Sequence, residues 1–244
     1  MLSSASRGAL RLRTSPSCRT ISSTVNNLMV NEENVFSEIN RLRCKNKLTH
    51  IKPVRDLNWA KGRDLKQAAV LIPLCHVDGV PSILFTLRSL QLSSHRGEVS
   101  FPGGREDDDD DHIIETAIRE TEEEIGLHRD FVQVWGPMSP VPTYDMKAAV
   151  IPIIAYCGNI HLPSLDINKH EVEEVFVRSI SSLCDLKNTG FTHFKGDKKR
   201  PGFTLPVYTG GPHRVWGLSA IILHQCLSII APGLYKFRFR QISR

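Results

Sequence analysis

Four apolar runs of strand length dominate the pattern of hydrophobic positions along the chain. Residues 68–74 form the first run, and a turn at 76–79 separates it from the second at 82–87. Residues 131–135 and 148–156 form the third and fourth runs. Because the fourth run is nearly all apolar, we expect it to be a strand covered on both faces at the centre of a sheet.

A helical period replaces the strand pattern in the stretch that ends at Leu127. At that period Glu120, Glu123 and Glu124 share one face of the helix. The other face carries Ile114, Ile118, Thr121 and Ile125. Gly126 follows and allows the chain to leave the helix sharply. The pattern predicts a helix that packs with one side and binds with the other.

A polar segment at 31–66 precedes this body. Within it Val35, Ile39 and Leu42 follow one another at steps of four and three residues, which predicts a short amphipathic helix that ends before Pro53. We expect the folded domain to span 67–232, after this helical preface.

The other end of the chain holds a long uncharged stretch. Residues 215–235 contain no Asp, Glu, Lys or Arg, but polar side chains and Pro232 interrupt the stretch, and its helical part is too short for a bilayer core. We therefore expect a buried terminal helix and no membrane span. Residues 235–240 alternate apolar and basic side chains, and we expect a frayed basic tail at 233–244, with contact to anionic lipid as the alternative.

The positive charge of the chain is concentrated at its start. The formal net charge is +5, and residues 1–30 contain four arginines and no acidic residue. The remaining chain carries 27 basic against 26 acidic residues, so bulk charge does not support a nucleic-acid partner. A Ser- and Arg-rich, acid-free start is typical of a mitochondrial transit peptide, which predicts a matrix location, with an ordinary disordered tail as the alternative.

The six cysteines are scattered, with no Cys-x-x-Cys pair and no matching histidine spacing. This spacing argues against a zinc site and favours core or surface thiols.

The acidic face of the predicted helix carries the chemistry. Three carboxylates at this spacing repel one another, so a cation is needed to neutralise them. Their hard oxygen ligands suit Mg²⁺ or Mn²⁺. Arg119 lies beside this face and can orient a glutamate through its guanidinium. A solvated acidic surface is the alternative reading of the same pattern.

The segment 119–127, Arg-Glu-Thr-Glu-Glu-Glu-Ile-Gly-Leu, resembles the second half of the nudix box. The loop before it is one residue longer than the box, so the early glutamate of the box falls on Asp110 counted from Gly104 and on Asp111 counted from Arg119. Thr121 stands where the box has a bulky apolar residue. The resemblance implies that Glu120, Glu123 and Glu124 hold the metal and that Arg119 belongs to the catalytic set.

Upstream residues resemble the coenzyme A diphosphatase branch of the nudix hydrolases. The resemblance rests on residues 84–89, on Gly97 and on the Phe-Pro-Gly-Gly turn at 101–104. Arg88 and Arg96 near the turn at Gly103 and Gly104 can engage a polyanion, since arginine forks and glycine-turn amides match phosphate oxygens. A surface arginine on a strand is the alternative reading of Arg88. Ser93 occupies a position where the branch has a basic residue, and Arg96 with His95 is the replacement that we consider.

Two further segments resemble the family or suit its substrate. Residues 171–176 resemble a strand that lies near the metals in many nudix enzymes, so Glu171 or Glu174 is a further candidate ligand or base, with outward-facing acids on a strand edge as the alternative. The basic loop 195–200 suits the 3′-phosphate of coenzyme A, or is simply solvated.

The resemblance covers residues 66–232 and implies an α/β fold with a mixed sheet between helices. It implies metal-dependent hydrolysis of coenzyme A or acyl-coenzyme A to adenosine 3′,5′-bisphosphate and a 4′-phosphopantetheine. Glu123, or a glutamate of 171–174, is the expected base.

The alternatives are a nudix enzyme for NADH or ADP-ribose, and a binding module with weak turnover. RNA-end processing is disfavoured by the neutral body. A homodimer and the preference for free or acylated coenzyme A stay open.

Overall fold

The computed structural model describes residues 29–50, 66–143, 147–195 and 202–238. Most of the expected transit peptide, residues 51–65 and loop residues 196–200 therefore lie outside the described residues. The helices are α1 (Glu38–His50), α2 (Ile113–Ile125), α3 (Ile180–Cys184) and α4 (Gly217–Ile230). The strands are β1 (Lys66–Val77), β2 (Val80–Arg88), β3 (Val99–Ser100), β4 (Gly103–Arg105), β5 (Gln133–Pro137), β6 (Val141–Pro142), β7 (Ala148–Asn159), β8 (Val172–Ser179), β9 (Thr189–Phe194) and β10 (Phe203–Tyr208).

One mixed sheet of eight strands organises the described part of the chain. Its main order is β3-β2-β1-β7-β5, with β4 on β1, β6 on β7 and β8 on β2, while β9 and β10 pair separately. The pair β1 and β7 is parallel and places Leu71 opposite Ile153. The other pairs are antiparallel. Strand β7 lies between neighbours on both sides, which confirms the central strand that its apolar run predicted.

Helices cover both faces of this sheet, which confirms the predicted layered α/β architecture. On one face the side chains of α2 join Leu71 of β1 and Ile153 of β7 in a hydrophobic cluster. On the other face α1 and α4 pack with Ile72 and Ile154 in a second cluster. Successive residues of β1 and β7 thus pack into two different cores, one on each face of the sheet.

Helix α1 packs with a different face from the one its sequence suggested. Ile39 and Leu42 are 45% and 42% exposed, whereas Asn40 and Cys44 are fully buried. The Asn40 amide donates to the carbonyl oxygens of Val35 at 2.6 Å and of Ile230 at 2.9 Å. Because these bonds satisfy the buried amide, a polar residue takes the inner position and the apolar ones face out. The predicted preface therefore shares a core with α4.

The third predicted strand also needs a correction. Residues 129–131 form a 3₁₀ turn, and β5 begins only at Gln133. Phe131 is 66% exposed. His128 caps this turn by accepting a hydrogen bond from the Asp130 backbone at 3.3 Å.

The terminal helix α4 is buried along most of its length, as expected, with seven of its residues in the core. No helix within the described ranges has both the length and the apolar character that crossing a bilayer requires. The expected fraying of the tail does not extend to Tyr235 and Phe237, which are 2% and 7% exposed.

Candidate active site

Helix α2 presents its carboxylates from a firmly anchored position. His112 caps its start by accepting a hydrogen bond from the Glu115 backbone at 3.2 Å. Gly126 ends it in the left-handed region with φ 67°, a conformation that favours glycine. Thr121, at the position where the nudix box has a bulky residue, is buried and donates its hydroxyl to the Ala117 carbonyl at 2.6 Å. This bond satisfies the hydroxyl inside the packing face.

Three carboxylates from two elements converge beside the sheet. Oxygen atoms of Glu120, Glu124 and Glu171 all lie within 4.8 Å of one another. Glu120 and Glu124 stand one turn apart on α2, and Glu171 immediately precedes β8. Two backbone hydrogen bonds hold these segments in place. The Asn168 N–H donates to the Glu124 carbonyl at 3.0 Å, and the Ser89 N–H donates to the Glu171 carbonyl at 2.8 Å. We refer to these three side chains as the glutamate cluster.

Burial makes the charge of the glutamate cluster costly. Glu124 is only 2% exposed, and this burial raises its pKa from 4.5 to about 8. Burial also raises the pKa of Glu120 above its ordinary value. The Gly103 N–H at 3.2 Å and the Arg88 guanidinium at 3.7 Å oppose the shift of Glu124 without overcoming it. The negative charge of the cluster is therefore not fully compensated by Arg88 and the Gly103 N–H.

The two glycines of the turn leave the space that the cluster occupies. A Cβ on Gly104 would lie 2.3 Å from the Glu120 carboxyl carbon. A Cβ on Gly103 would lie 2.2 Å from the Ala69 carbonyl oxygen, and its φ of 148° is rarely adopted by other residues. Gly103 thus permits β4 to approach β1, and Gly104 permits Glu120 to approach β4.

Arg119 holds the loop that precedes the helix. Its Nε and Nη2 donate to the two carboxylate oxygens of Asp110 at 2.9 and 3.0 Å. Its Nη1 donates to Glu120 at 3.2 Å and to Glu123 at 3.1 Å. The Arg119 guanidinium holds the pKa of Asp110 well below its usual range, and Asp110 in turn raises the pKa of Arg119.

Of the two aspartates that the sequence left open, Asp110 is the one that contacts Arg119. The Asp110 side chain is 2% exposed and also accepts the Thr116 hydroxyl at 2.8 Å, whereas Asp111 is exposed. An aspartate is one methylene shorter than the glutamate of the family pattern. The loop is also one residue longer than the family pattern.

Two of the expected ligands lie outside the cluster. The Glu123 side chain is 56% exposed and is paired with Arg119. The Glu174 side chain is 47% exposed and contacts His213 at 2.8 Å. The three carboxylates that lie together are therefore Glu120, Glu124 and Glu171, while Glu123 lies beside them on the Arg119 side. The spacing on the helix revealed Glu120 and Glu124, but only the sheet pairing of β8 with β2 selects Glu171 over Glu174.

Some of the candidate phosphate-binding residues lie near the glutamate cluster and others are exposed away from it. Arg88 contacts Glu124, and its buried Nε has no hydrogen-bond partner within the described residues. Arg96 and Ser93 are exposed on the loop between β2 and β3, where His95 adopts φ 55° and contacts Glu98 at 3.1 Å. Only Lys195 of the basic loop is described, and it is exposed. Of these basic side chains, Arg88 is the one described here that contacts the glutamate cluster, next to the Gly103 N–H.

Comparisons with known proteins relate the chain to one family. The family model described as NUDIX domain matches residues 65–195. The chain is 51% identical over 172 residues to the protein named mitochondrial coenzyme A diphosphatase NUDT8 of Mus musculus, covering 69% of this chain and 80% of that one. It is 49% identical over 174 residues to the Homo sapiens protein of the same name, covering 70% and 72%. It is 42% identical over 184 residues to Nudix hydrolase 3 of Caenorhabditis elegans, covering 69% and 75%.

Proposed function

The chain belongs to the nudix hydrolases, and from this membership we propose that it cleaves the diphosphate bond of coenzyme A and its thioesters. The products are adenosine 3′,5′-bisphosphate and the free or acylated 4′-phosphopantetheine. Support comes from the two relatives named as coenzyme A diphosphatases and from the branch signature at residues 84–104. The glutamate cluster is the single observation that carries the chemistry.

The glutamate cluster fits a divalent cation. Its three carboxylates offer oxygen atoms within 4.8 Å of one another, and the raised pKa of Glu124 reflects a charge that burial leaves poorly compensated. Carboxylate oxygens in this number suit Mg²⁺ or Mn²⁺. When bound, such an ion neutralises phosphate oxygens and lowers the pKa of a water molecule.

The remaining residues position these ligands. Arg119 holds Glu120 from one side while Asp110 fixes the guanidinium from the other. The Gly103 N–H orients the Glu124 carboxylate. Arg88 lies against the cluster with a side chain that is 26% exposed, so its guanidinium is placed to donate to an oxygen of the diphosphate. Glu171 supplies the third carboxylate, and Glu123 or Glu171 would accept a proton from the attacking water.

We place the protein in the mitochondrial matrix. The Ser- and Arg-rich first thirty residues support this location, and so do the names of the mouse and human relatives. Import of a fluorescent fusion, with loss of import when residues 1–30 are deleted, tests it.

Product analysis by mass spectrometry tests the proposed reaction. The purified chain is incubated with coenzyme A, several acyl-coenzyme A thioesters, NADH and ADP-ribose, in Mg²⁺ and separately in Mn²⁺. We expect adenosine 3′,5′-bisphosphate from the coenzyme A substrates at a kcat/KM above that for NADH or ADP-ribose. Preferred cleavage of NADH or ADP-ribose would reassign the substrate, and tight binding without any product would make the chain a binding module.

The matched variants are Glu124→Gln and Glu174→Gln. Loss of the buried ligand is expected to lower kcat by at least about 10²–10³-fold, while the exposed Glu174 lies outside the cluster and its replacement leaves kcat close to wild type. Circular dichroism checks that both variants are folded. An active, folded Glu124→Gln variant would contradict the assignment.

A further inference from the structure

Segment 165–171 leads into the third carboxylate of the glutamate cluster and lies against the end of α2. Its first four residues belong to no helix or strand, so contacts with neighbouring elements set its path. Two of its apolar side chains, Leu165 and Ile167, pack against the same hydrophobic cluster as Ile125, the last residue of α2. The segment ends at Glu171, whose carboxylate lies beside the two carboxylates of the helix.

Asn168 joins the end of α2 to Glu171 through its backbone. Its N–H donates to the Glu124 carbonyl at 3.0 Å, which is one of the last four carbonyls of the helix and has no partner inside the helix. Its own carbonyl accepts the N–H of Glu171 at 3.0 Å and the N–H of Val172 at 2.9 Å. One residue therefore bonds both to the helix that carries two carboxylates and to the residue that carries the third.

Gly126 leaves the space in which this segment reaches the helix. A Cβ on Gly126 would lie 2.8 Å from the Cβ, 2.9 Å from the backbone nitrogen and 3.0 Å from the carbonyl oxygen of Asp166. These Asp166 atoms belong to the main chain or are bonded directly to it, so rotation of a side chain cannot relieve the clash. The backbone of segment 165–171 would have to move. Gly126 is thus required for space as well as for its φ of 67°.

We propose that Gly126 is a positioning residue for the third carboxylate, because the absence of its side chain lets segment 165–171 dock on α2 with Glu171 beside Glu124. Displacing Asp166 also displaces Asn168, two residues later, and with it the hydrogen bonds that hold Glu171. Metal ligands keep their distances to within about 0.2 Å, so a shift of a few tenths of an ångström is enough to weaken this ligand. The role rests on the proposed function, since the glutamate cluster must hold a cation.

Two glycine variants of the full chain separate space from backbone conformation. Gly126→Ala introduces the clash with Asp166, whereas Gly158→Ala places the same methyl group at a φ of 70° with nothing within 4 Å of it. Both variants carry a similar cost of left-handed backbone. Electron paramagnetic resonance is expected to show Mn²⁺ binding weakened at least about tenfold in Gly126→Ala and unchanged in Gly158→Ala. Wild-type binding by Gly126→Ala, or equal losses in both variants, would overturn the proposal.

A double-mutant cycle shows whether Gly126 acts through Glu171. If it does, Gly126→Ala should cause no further loss of Mn²⁺ affinity in the Glu171→Gln background, where the ligand is already absent. A purely structural effect, or one that acts through Glu124, would weaken binding by the same factor in both backgrounds. Additive losses would therefore overturn the positioning role.

A milder pair of variants tests the same docking if Gly126→Ala does not fold. Ile167→Ala trims the segment where it packs, and Val134→Ala trims the same hydrophobic cluster from β5. Ile167→Ala should weaken Mn²⁺ binding about two- to tenfold, while Val134→Ala should bind like wild type. A loss in Ile167→Ala no greater than that in Val134→Ala would overturn the proposal, and circular dichroism checks the fold of each variant.

Wild-type binding and turnover separate this proposal from the proposed function. If wild type binds Mn²⁺ and the cycle is additive, the positioning role fails and the metal site stands. If wild type does not bind Mn²⁺, the metal site fails and the positioning role fails with it. If the cycle shows the expected coupling but coenzyme A gives no product, the proposed hydrolysis fails and the positioning role stands.

Discussion

At the residue scale, Asp110 links the aspartate run to the glutamate cluster. It accepts two hydrogen bonds from Arg119, and Arg119 donates to Glu120. Removing the charge of Asp110 frees the guanidinium to pair more closely with Glu120 and compete with a cation for it. The position of Glu120 therefore depends on a residue that does not contact the cluster itself.

Asp110→Asn is predicted to lower kcat about 10–100-fold, as expected for a side chain that orients a ligand. The matched control is Asp111→Asn, because Asp111 is exposed and should tolerate the change. Steady-state kinetics with a divalent-ion titration measures both variants. Equal activities of the two variants would show that Arg119 does not need Asp110.

The buried Glu124 makes the stability of the metal-free protein depend on pH. Its pKa is raised in the folded state from 4.5 to about 8, so the folded state binds more protons than the unfolded state between these values. The contribution of protonated Glu124 to the free energy of unfolding is therefore fully present below about pH 4.5. It is lost as the pH rises toward 8, by on the order of a few kcal/mol. Urea unfolding in the presence of a chelator measures this loss.

Glu124→Gln isolates the contribution of this carboxyl group, because glutamine carries no titrating proton. The variant should show a flatter dependence between pH 5 and 8 than wild type in chelator, and adding Mg²⁺ should stabilise only the wild type at the upper end. Identical pH dependences of the two proteins would contradict the raised pKa.

At the element scale, the close approach of β4 to α2 sets the geometry of the cluster. Gly104→Ala would place a methyl group 2.3 Å from the Glu120 carboxyl carbon, so the carboxylate must move. A displacement of this size is predicted to lower kcat about 10²-fold with the fold retained. Gly190→Ala is the control, since its Cβ would meet only Val207 at 3.4 Å. Kinetics and thermal unfolding of both variants check the prediction, and an active Gly104→Ala enzyme would refute it.

The elements that local pattern specifies were predicted well. Apolar runs predicted β1, β2 and β7, because strands covered on both faces need continuous apolar sequence. Helical spacing predicted α2 and paired Glu120 with Glu124. Local pattern was wrong about the buried face of α1, where Asn40 is inside because Ile230, far along the chain, accepts its hydrogen bond.

The parts of the site that depend on distant pairing were not predictable in the same way. Glu171 and Glu174 are equivalent in sequence, and the pairing of β8 with β2 brings only Glu171 to Glu124. Likewise, counting residues left Asp110 and Asp111 equivalent, and the path of the loop distinguishes them. Register and loop path are set by tertiary packing, which no local period encodes.

At the scale of the whole molecule, the two faces of the sheet are covered by different helices. Helix α2 and the glutamate cluster lie with one core, while α1, α4 and Tyr235 belong to the other. The sheet therefore separates the glutamate cluster from the core that α1 and α4 share. The cluster forms only when α2 and the residue before β8 are both in place. Cation binding at the proposed site therefore requires the folded arrangement of these two segments.

Binding of Mn²⁺, followed by electron paramagnetic resonance, tests that assembly most directly in wild type, Glu171→Gln and Glu174→Gln. The two variants remove the same charge three residues apart, and only Glu171 belongs to the cluster. We predict that Glu171→Gln weakens Mn²⁺ binding by at least about tenfold while Glu174→Gln binds like wild type. Wild-type Mn²⁺ binding by Glu171→Gln, or an equal loss in both variants, would contradict the three-glutamate site.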